Sequence, residues 1–507
     1  MLTKVFSYGT MGLEAYPVTI EVDVSRGLPA TIMVGLPDNA VKESKERIRS
    51  AIKNSGFQFP LERITINLSP ADTKKEGAGF DLGIAVGLLA ASGQLASAGL
   101  KDFIFLGELS LDGAIQPVNG SLIVACAVSP KNFKGLILPE ANCAQAAAAN
   151  HIPIFPVRSL AEVVQFFSDP FSRIPYQNEN LNIIPRSESE NDFADIKGQF
   201  YVKRGLEVAA AGGHNCLLIG PPGSGKTMLA KRISSILPDL TREEALETTK
   251  IHSVVGLVSP AQGLISSRPF RCPHHTTSDV ALVGGGSNPR PGEVTLAHNG
   301  VLFLDELPEF NRDVLEALRQ PLEDRYVTIS RAARVVRFPS HFMFVAAMNP
   351  CPCGWFSEPK KGCRCNPHQV ERYLAKISGP LLDRIDLHLD VPSVKPKELL
   401  STAPGESSSQ IKIRTTQVRQ IQLERLKKDS IVCNAQMNHR QIKKYCPLNE
   451  EGKKLLKLAI EELGLSARAY DKILKVARTV ADLDQSESIQ PSHLAEAIGY
   501  RNLDRRW

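Results

Sequence analysis

The chain has no uninterrupted apolar run of the ~18 residues that a membrane-crossing helix needs, so no membrane span is expected. Its opening residues, Met1 to Phe6, contain no apolar core of a signal peptide, and a cytoplasmic location is expected. There is no internal repeat. The ten cysteines stand singly apart from one cluster, and a cytoplasmic chain needs no disulfide framework. The excess of one charge sign is also small: the net charge of +6 permits a polyanionic partner without demanding one. With 43% apolar and 22% charged residues over 507 positions, the chain reads as ordinary globular protein of roughly three domains.

What is present is a phosphate-binding loop. Gly220, Pro221, Pro222, Gly223, Ser224, Gly225, Lys226 and Thr227 spell G-x-x-x-x-G-K-[ST]. The apolar stretch Cys216 to Ile219 before it reads as a buried parallel strand, and Met228 onward reads as a helix. Strand, glycine turn and helix start together aim backbone N–H groups and a helix dipole at one anion. Lys226 is expected to reach the β/γ-phosphates of ATP, and Thr227 to hold Mg²⁺.

Hydrolysis needs more than a cradle. Val301 to Leu304 reads as a buried strand ending in Asp305 and Glu306. Asp305 is expected to hold Mg²⁺ through water and Glu306 to polarise the attacking water. Asn349 follows another apolar strand, Phe342 to Ala347, at the position of a water-orienting sensor. Two readings of Arg384 stand: a finger reaching the γ-phosphate of a neighbouring subunit, or an ion pair with Asp383 or Asp386. Arg468 reads as a second phosphate sensor on a lid helix, or as a plain surface arginine.

Residues 1–170 form an α+β unit, with strands at 17–24, 63–68, 103–106 and 135–138 and helices at 42–52 and 80–91. A polar linker at 171–191 leads to an α/β core at 192–395; a second linker at 396–410 leads to a helical, basic unit at 411–507. The segment Tyr326 to Phe338 alternates like a hairpin with Arg331 and Arg334 at its tip, suited to tracking a phosphate backbone, or simply solvated. A second insertion is expected between His252 and Pro291. His274 and His275 lack metalloprotease spacing and read as packing or loop-ordering residues. The closing stretch 501–507 reads as a frayed end. Cys351, Cys353, Cys363 and Cys365 could wrap one tetrahedral, structural Zn²⁺; free surface thiols or a labile disulfide are the alternatives.

The run from Arg268 to Phe310, with Ser378 to Leu387 and Ser466 to Leu483, resembles the magnesium-chelatase-like AAA+ proteins of the YifB/ComM type along the whole chain. The resemblance implies a homo-hexameric, ATP-dependent DNA helicase or translocase. Its substrates would be single-stranded and branched DNA, and its work branch migration during recombination in natural transformation, with recombination proteins as partners. It also implies that the Arg331/Arg334 hairpin enters the ring pore. The first unit is similar to the proteolytic domain of Lon, as in RadA-type ATPases. Asp81 occupies the position of the Lon serine, and no lysine occurs between Asp102 and Pro130, so the Ser/Lys dyad is missing. A chelatase-type motor remodelling a protein partner and an ATP-dependent protease are the competing classes.

Overall fold

The computed structural model describes residues 1–169, 174–177, 192–259, 263–286, 289–331, 334–356, 358, 362–394, 405–463 and 466–501. Most of the 171–191 linker, residues 396–404 and the tail 502–507 lie outside that set. So do parts of the expected 252–291 insertion and of the turn between the cysteine pairs. The chain is mixed α/β and divides into two compact units, 1–184 with 242–265, and 185–241 with 266–507.

The first unit is built on a seven-stranded mixed sheet. Leu2–Met11 and Glu14–Ser25 pair antiparallel, and buried residues alternate along both. That period of two sends Val18, Ile20 and Val22 to one face. The helix Asp81–Ala91 is buried at every position, which its apolar, glycine- and alanine-rich sequence allows. Residues 242–265 belong to this unit although they follow the P-loop helix in sequence. The helix Arg242–Val254 is tied there by Ser253 Oγ to Gln145 (3.1 Å) and Arg242 to the Ala148 carbonyl (3.3 Å).

Asp81 opens the buried helix. It is 1% exposed and accepts from Arg47 Nε at 3.0 Å and from the Leu109 N–H at 3.4 Å. Burial pushes its carboxyl up to about 6, with Arg47 pulling the other way. The folded state therefore binds more protons than the unfolded chain between pH ~4 and ~6, and stability falls as pH rises through that window. Asp81→Asn is expected to flatten this slope and to stabilise the unit by roughly 1–2 kcal/mol at pH 7. Thermal melts from pH 4 to 8 that leave the slope unchanged would refute it.

The second unit carries a five-stranded parallel sheet in the order Phe270–Arg271, Val301–Leu304, Met343–Met348, Cys216–Ile219, Leu387–Asp390. Cys216–Ile219, first in sequence, lies between two late strands. Such a switch point opens a crevice at the carboxyl ends of the strands. The strands are four to six apolar residues long except at the edges, as sheets covered on both faces require. The 396–410 linker ends sooner than expected, because Ser407 and Gln410 form a capping box that starts the helix Ser408–Leu426. That helix packs with Phe200–Gly212 and Ala467–Leu483 on the same core as the sheet. No helix among the described residues is long and apolar enough to cross a membrane.

Candidate nucleotide site

The crevice collects the residues the motifs single out. Gly223 and Gly225 take φ of 76° and 89°, conformations a side chain disfavours, and so turn the chain from the strand into the helix Lys226–Ile236. Lys226 Nζ donates to the carbonyls of Gly220 (2.8 Å) and Pro221 (3.0 Å) and to Asn349 Oδ1 (3.1 Å). Burial lowers the lysine pKa, and the charges of Asp305 and Glu306 act against that. Thr227 Oγ1 donates to Asp305 Oδ2 at 2.6 Å. Asp305 Oδ1 in turn accepts the Glu306 N–H at 3.0 Å. Strands remote in sequence thus bring together two adjacent hydrogen-bonded pairs, Lys226 with Asn349 and Thr227 with Asp305.

Glu306 has φ 53° and ψ 48°, the left-handed region, in a residue that is not glycine. Such a conformation costs about 1–3 kcal/mol and concentrates at functional sites. Ser224 Oγ is buried in the loop with no hydrogen-bond partner. An orphaned hydroxyl, an ammonium resting on backbone carbonyls and an adjacent hydroxyl–carboxylate pair suit a magnesium-bound nucleoside triphosphate.

Two contributors escape sequence reasoning. Gln199, also at a left-handed φ of 52°, donates from Nε2 to the carbonyls of Ser224 (2.9 Å) and Pro392 (3.0 Å) and so braces the P-loop. Tyr373, buried on the helix Pro367–Leu374, lies beside Asn349, and burial raises its hydroxyl pKa. Neither belongs to a recognisable motif, and only their positions in space reveal them.

Arg384 is not gathered into this group within the chain. Its guanidinium pairs with Glu323 and donates from Nη1 to the Pro380 carbonyl at 2.6 Å, while Nε is buried without a partner. The acids named from sequence are occupied elsewhere. Asp383 meets Arg468 at 3.2 Å, and Asp386 meets His214 and Lys472 at 3.5 and 4.0 Å. Arg468, on the helix Ala467–Leu483, is thus tied to the neighbour of Arg384 and is largely exposed. Arg501 is not a frayed end: it is 4% exposed and donates to the Ile385 carbonyl at 2.6 Å.

The hairpin forms, with Tyr326–Arg331 against Arg334–Pro339 and Arg331 opposite Arg334 at its end. The side chains of Arg331 and Arg334 lie outside the described residues. At its base Val327, Ile329 and Phe338 are buried, and Arg337 stacks over Tyr326 at 4.4 Å. His274 and His275 stack at 4.1 Å, and His274 bonds Thr276. Arg271 forms a two-pronged pair with Glu293 at 2.6 and 2.8 Å.

The four cysteines converge, all sulfurs lying within 4.8 Å of one another. Three separations are 3.3, 3.6 and 3.6 Å. Sulfurs on one tetrahedral zinc, with Zn–S of ~2.3 Å, stand about 3.8 Å apart. Backbone N–H groups point at them, Cys365 N at Cys363 Sγ (3.4 Å) and the amides of Arg364 and Trp355 at Cys353. Those amides hold the Cys353 thiol below its ordinary pKa. This donor set fits a structural zinc.

The family model described as magnesium chelatase, subunit ChlI, matches residues 192–399, and models of two further ChlI segments match 20–142 and 405–501. The competence protein ComM of Haemophilus influenzae is 46% identical over 99% of this chain and 98% of its own length. The YifB protein of Escherichia coli is 45% identical with the same coverage. A DNA replication licensing factor, Mcm2 of Drosophila melanogaster, is 23% identical over 57% of this chain and 30% of its own. On matches of this extent, the chain belongs to the YifB/ComM family of magnesium-chelatase-like proteins.

Proposed function

We propose that this protein is an ATP-driven, ring-forming DNA translocase, a hexameric helicase that promotes branch migration during the recombination step of natural transformation. The observation that carries the ATPase part is the pairing of Lys226 with Asn349 and of Thr227 with Asp305 at the sheet's switch point. Mg²⁺ bound near Thr227 and Asp305 would neutralise developing phosphate charge. Glu306 would polarise the attacking water, and Asn349, bonded to Lys226 at 3.1 Å, would orient it. In this reading residues 192–395 are the AAA+ core and 411–507 its lid. Residues 1–170 are a Lon-like scaffold without protease chemistry, since a buried Asp81 paired with Arg47 is no nucleophile. Arg384 would act on a neighbour's nucleotide once Glu323 releases it, and Arg468 would serve as a second, lid-borne phosphate sensor once Asp383 releases it.

The DNA part is supported by the ComM relative's competence role, by the distant likeness to a replication licensing factor and by the Arg331/Arg334 hairpin. ATPase rate measured against single-stranded, forked and four-way DNA tests it, with assembly state followed in parallel. Stimulation by DNA and ATP-dependent strand movement are expected. A well-formed hexamer that neither binds nor moves branched DNA would end the proposal. Arg331→Ala and Arg334→Ala are each expected to weaken DNA binding alike for all sequences and to reduce the log–log salt slope by about 0.7. Fluorescence anisotropy titrations from 50 to 300 mM salt read that slope directly.

A further inference from the structure

The cysteine cluster is joined to the nucleotide site by three short connections. Cys351 follows Asn349 with only Pro350 between them. A proline fixes its own φ and restricts the residue before it, so that link is stiff. On the far side, Asn366 follows Cys365 and caps the helix Pro367–Leu374 in a two-way box with Gln369, at 2.8 and 3.0 Å. That helix brings the buried Tyr373 back beside the cluster's starting point at Asn349. The third link is contact. Gly354, one residue past Cys353, has φ 81° and lies so near the P-loop that a Cβ there would collide with Cδ and Cγ of Pro222.

The cluster therefore borders both partners of Lys226, namely Asn349 and the loop containing Gly220 and Pro221. Four thiolates forced together without an ion repel one another; one divalent cation cancels that repulsion and fixes the chain at four points. We infer that Zn²⁺ on Cys351, Cys353, Cys363 and Cys365 works as a positioning clamp on the ATP site, so that metal occupancy sets how well Asn349, Pro222 and Lys226 hold the phosphates. This rests on the zinc reading of the cluster and adds that the ion tunes nucleotide affinity and turnover. The four cysteines and Tyr373 are positioning residues: none of them is placed to touch the phosphates. A misplacement of about 1 Å at a reacting group costs up to ~10²-fold, so loss of the clamp has measurable leverage.

The test uses the full chain, purified with its metal, stripped by chelation under reducing conditions, and refilled with Zn²⁺ or Co²⁺. One ion per chain is expected, with thiolate-to-cobalt charge-transfer absorption in the Co²⁺ form. Stripping is expected to weaken binding of a fluorescent ATP analogue by about tenfold or more, with recovery on adding Zn²⁺ alone. Gly354→Ala keeps all four thiols. It is expected to retain one ion per chain while raising KM for ATP by about fivefold or more through its collision with Pro222. This variant decides the matter if the stripped chain unfolds, as melting would reveal. Should the ion bind while analogue affinity after stripping, or KM in Gly354→Ala, stays within about twofold, the clamp is overturned and the zinc reading survives. Should no ion bind, both fall.

Discussion

Lys226→Ala is expected to lower ATP turnover by about 10²–10³-fold, the loss typical of removing one donor aimed at transition-state charge. The physical reason lies in its surroundings. The ammonium spans two P-loop carbonyls and Asn349. Its removal takes away charge neutralisation at the phosphates and also the group that orients the Asn349 side chain. Nucleotide affinity should fall as well, because the ammonium attracts phosphate in the ground state. The fold should hold, since the sheet's apolar core does not depend on this side chain. Steady-state hydrolysis, a fluorescent-nucleotide titration and a melting curve read these three outcomes. Turnover within tenfold of the parent protein would remove Lys226 from the mechanism.

Glu306 allows a sharper separation of binding from chemistry. Glu306→Gln preserves size and backbone conformation and removes only the carboxylate that would polarise water. Turnover is expected to fall by about 10²–10⁴-fold with nucleotide affinity unchanged within about twofold. The backbone adds a second expectation. Because Glu306 sits at φ 53°, Glu306→Gly relieves a left-handed strain and should stabilise the unit by about 1 kcal/mol while abolishing hydrolysis. A residue that costs stability where it stands, and whose loss costs activity, is held there by function. If Glu306→Gly melts lower than the parent, the strain argument is wrong; if Glu306→Gln retains turnover, the water is activated elsewhere.

How far the site was legible follows the range of each signal. The P-loop and the Asp305/Glu306 strand end are local patterns. Eight contiguous residues, or four apolar ones and two acids, contain all the chemistry they need. The hairpin at 326–338 was legible for the same reason, since alternation and a short turn are properties of one segment. The four cysteines announced a cluster because only short stretches separate them. By contrast, of the two readings of Arg384 the ion-pair one points to Asp383 or Asp386, its neighbours in sequence. The structure pairs it with Glu323, about sixty positions away, and gives Asp383 to Arg468 and Asp386 to His214 and Lys472. Gln199 and Tyr373 were silent because a glutamine or tyrosine acquires a role at the nucleotide site only through where its helix lands.

The sequence by itself determined the phosphate loop, the acidic strand end, the buried strands of the parallel sheet and the family, because each is written in contiguous residues or in local periodicity. The tertiary structure alone decided that Lys226 meets Asn349 and that Thr227 meets Asp305. It also decided that residues 242–265 join the first unit, that Arg501 is buried against Ile385, and that the cysteine loop presses on Pro222. These contacts depend on strand order. The sheet places its first strand between two late ones, and that choice comes from burying all the apolar faces at once, which no local stretch of sequence encodes.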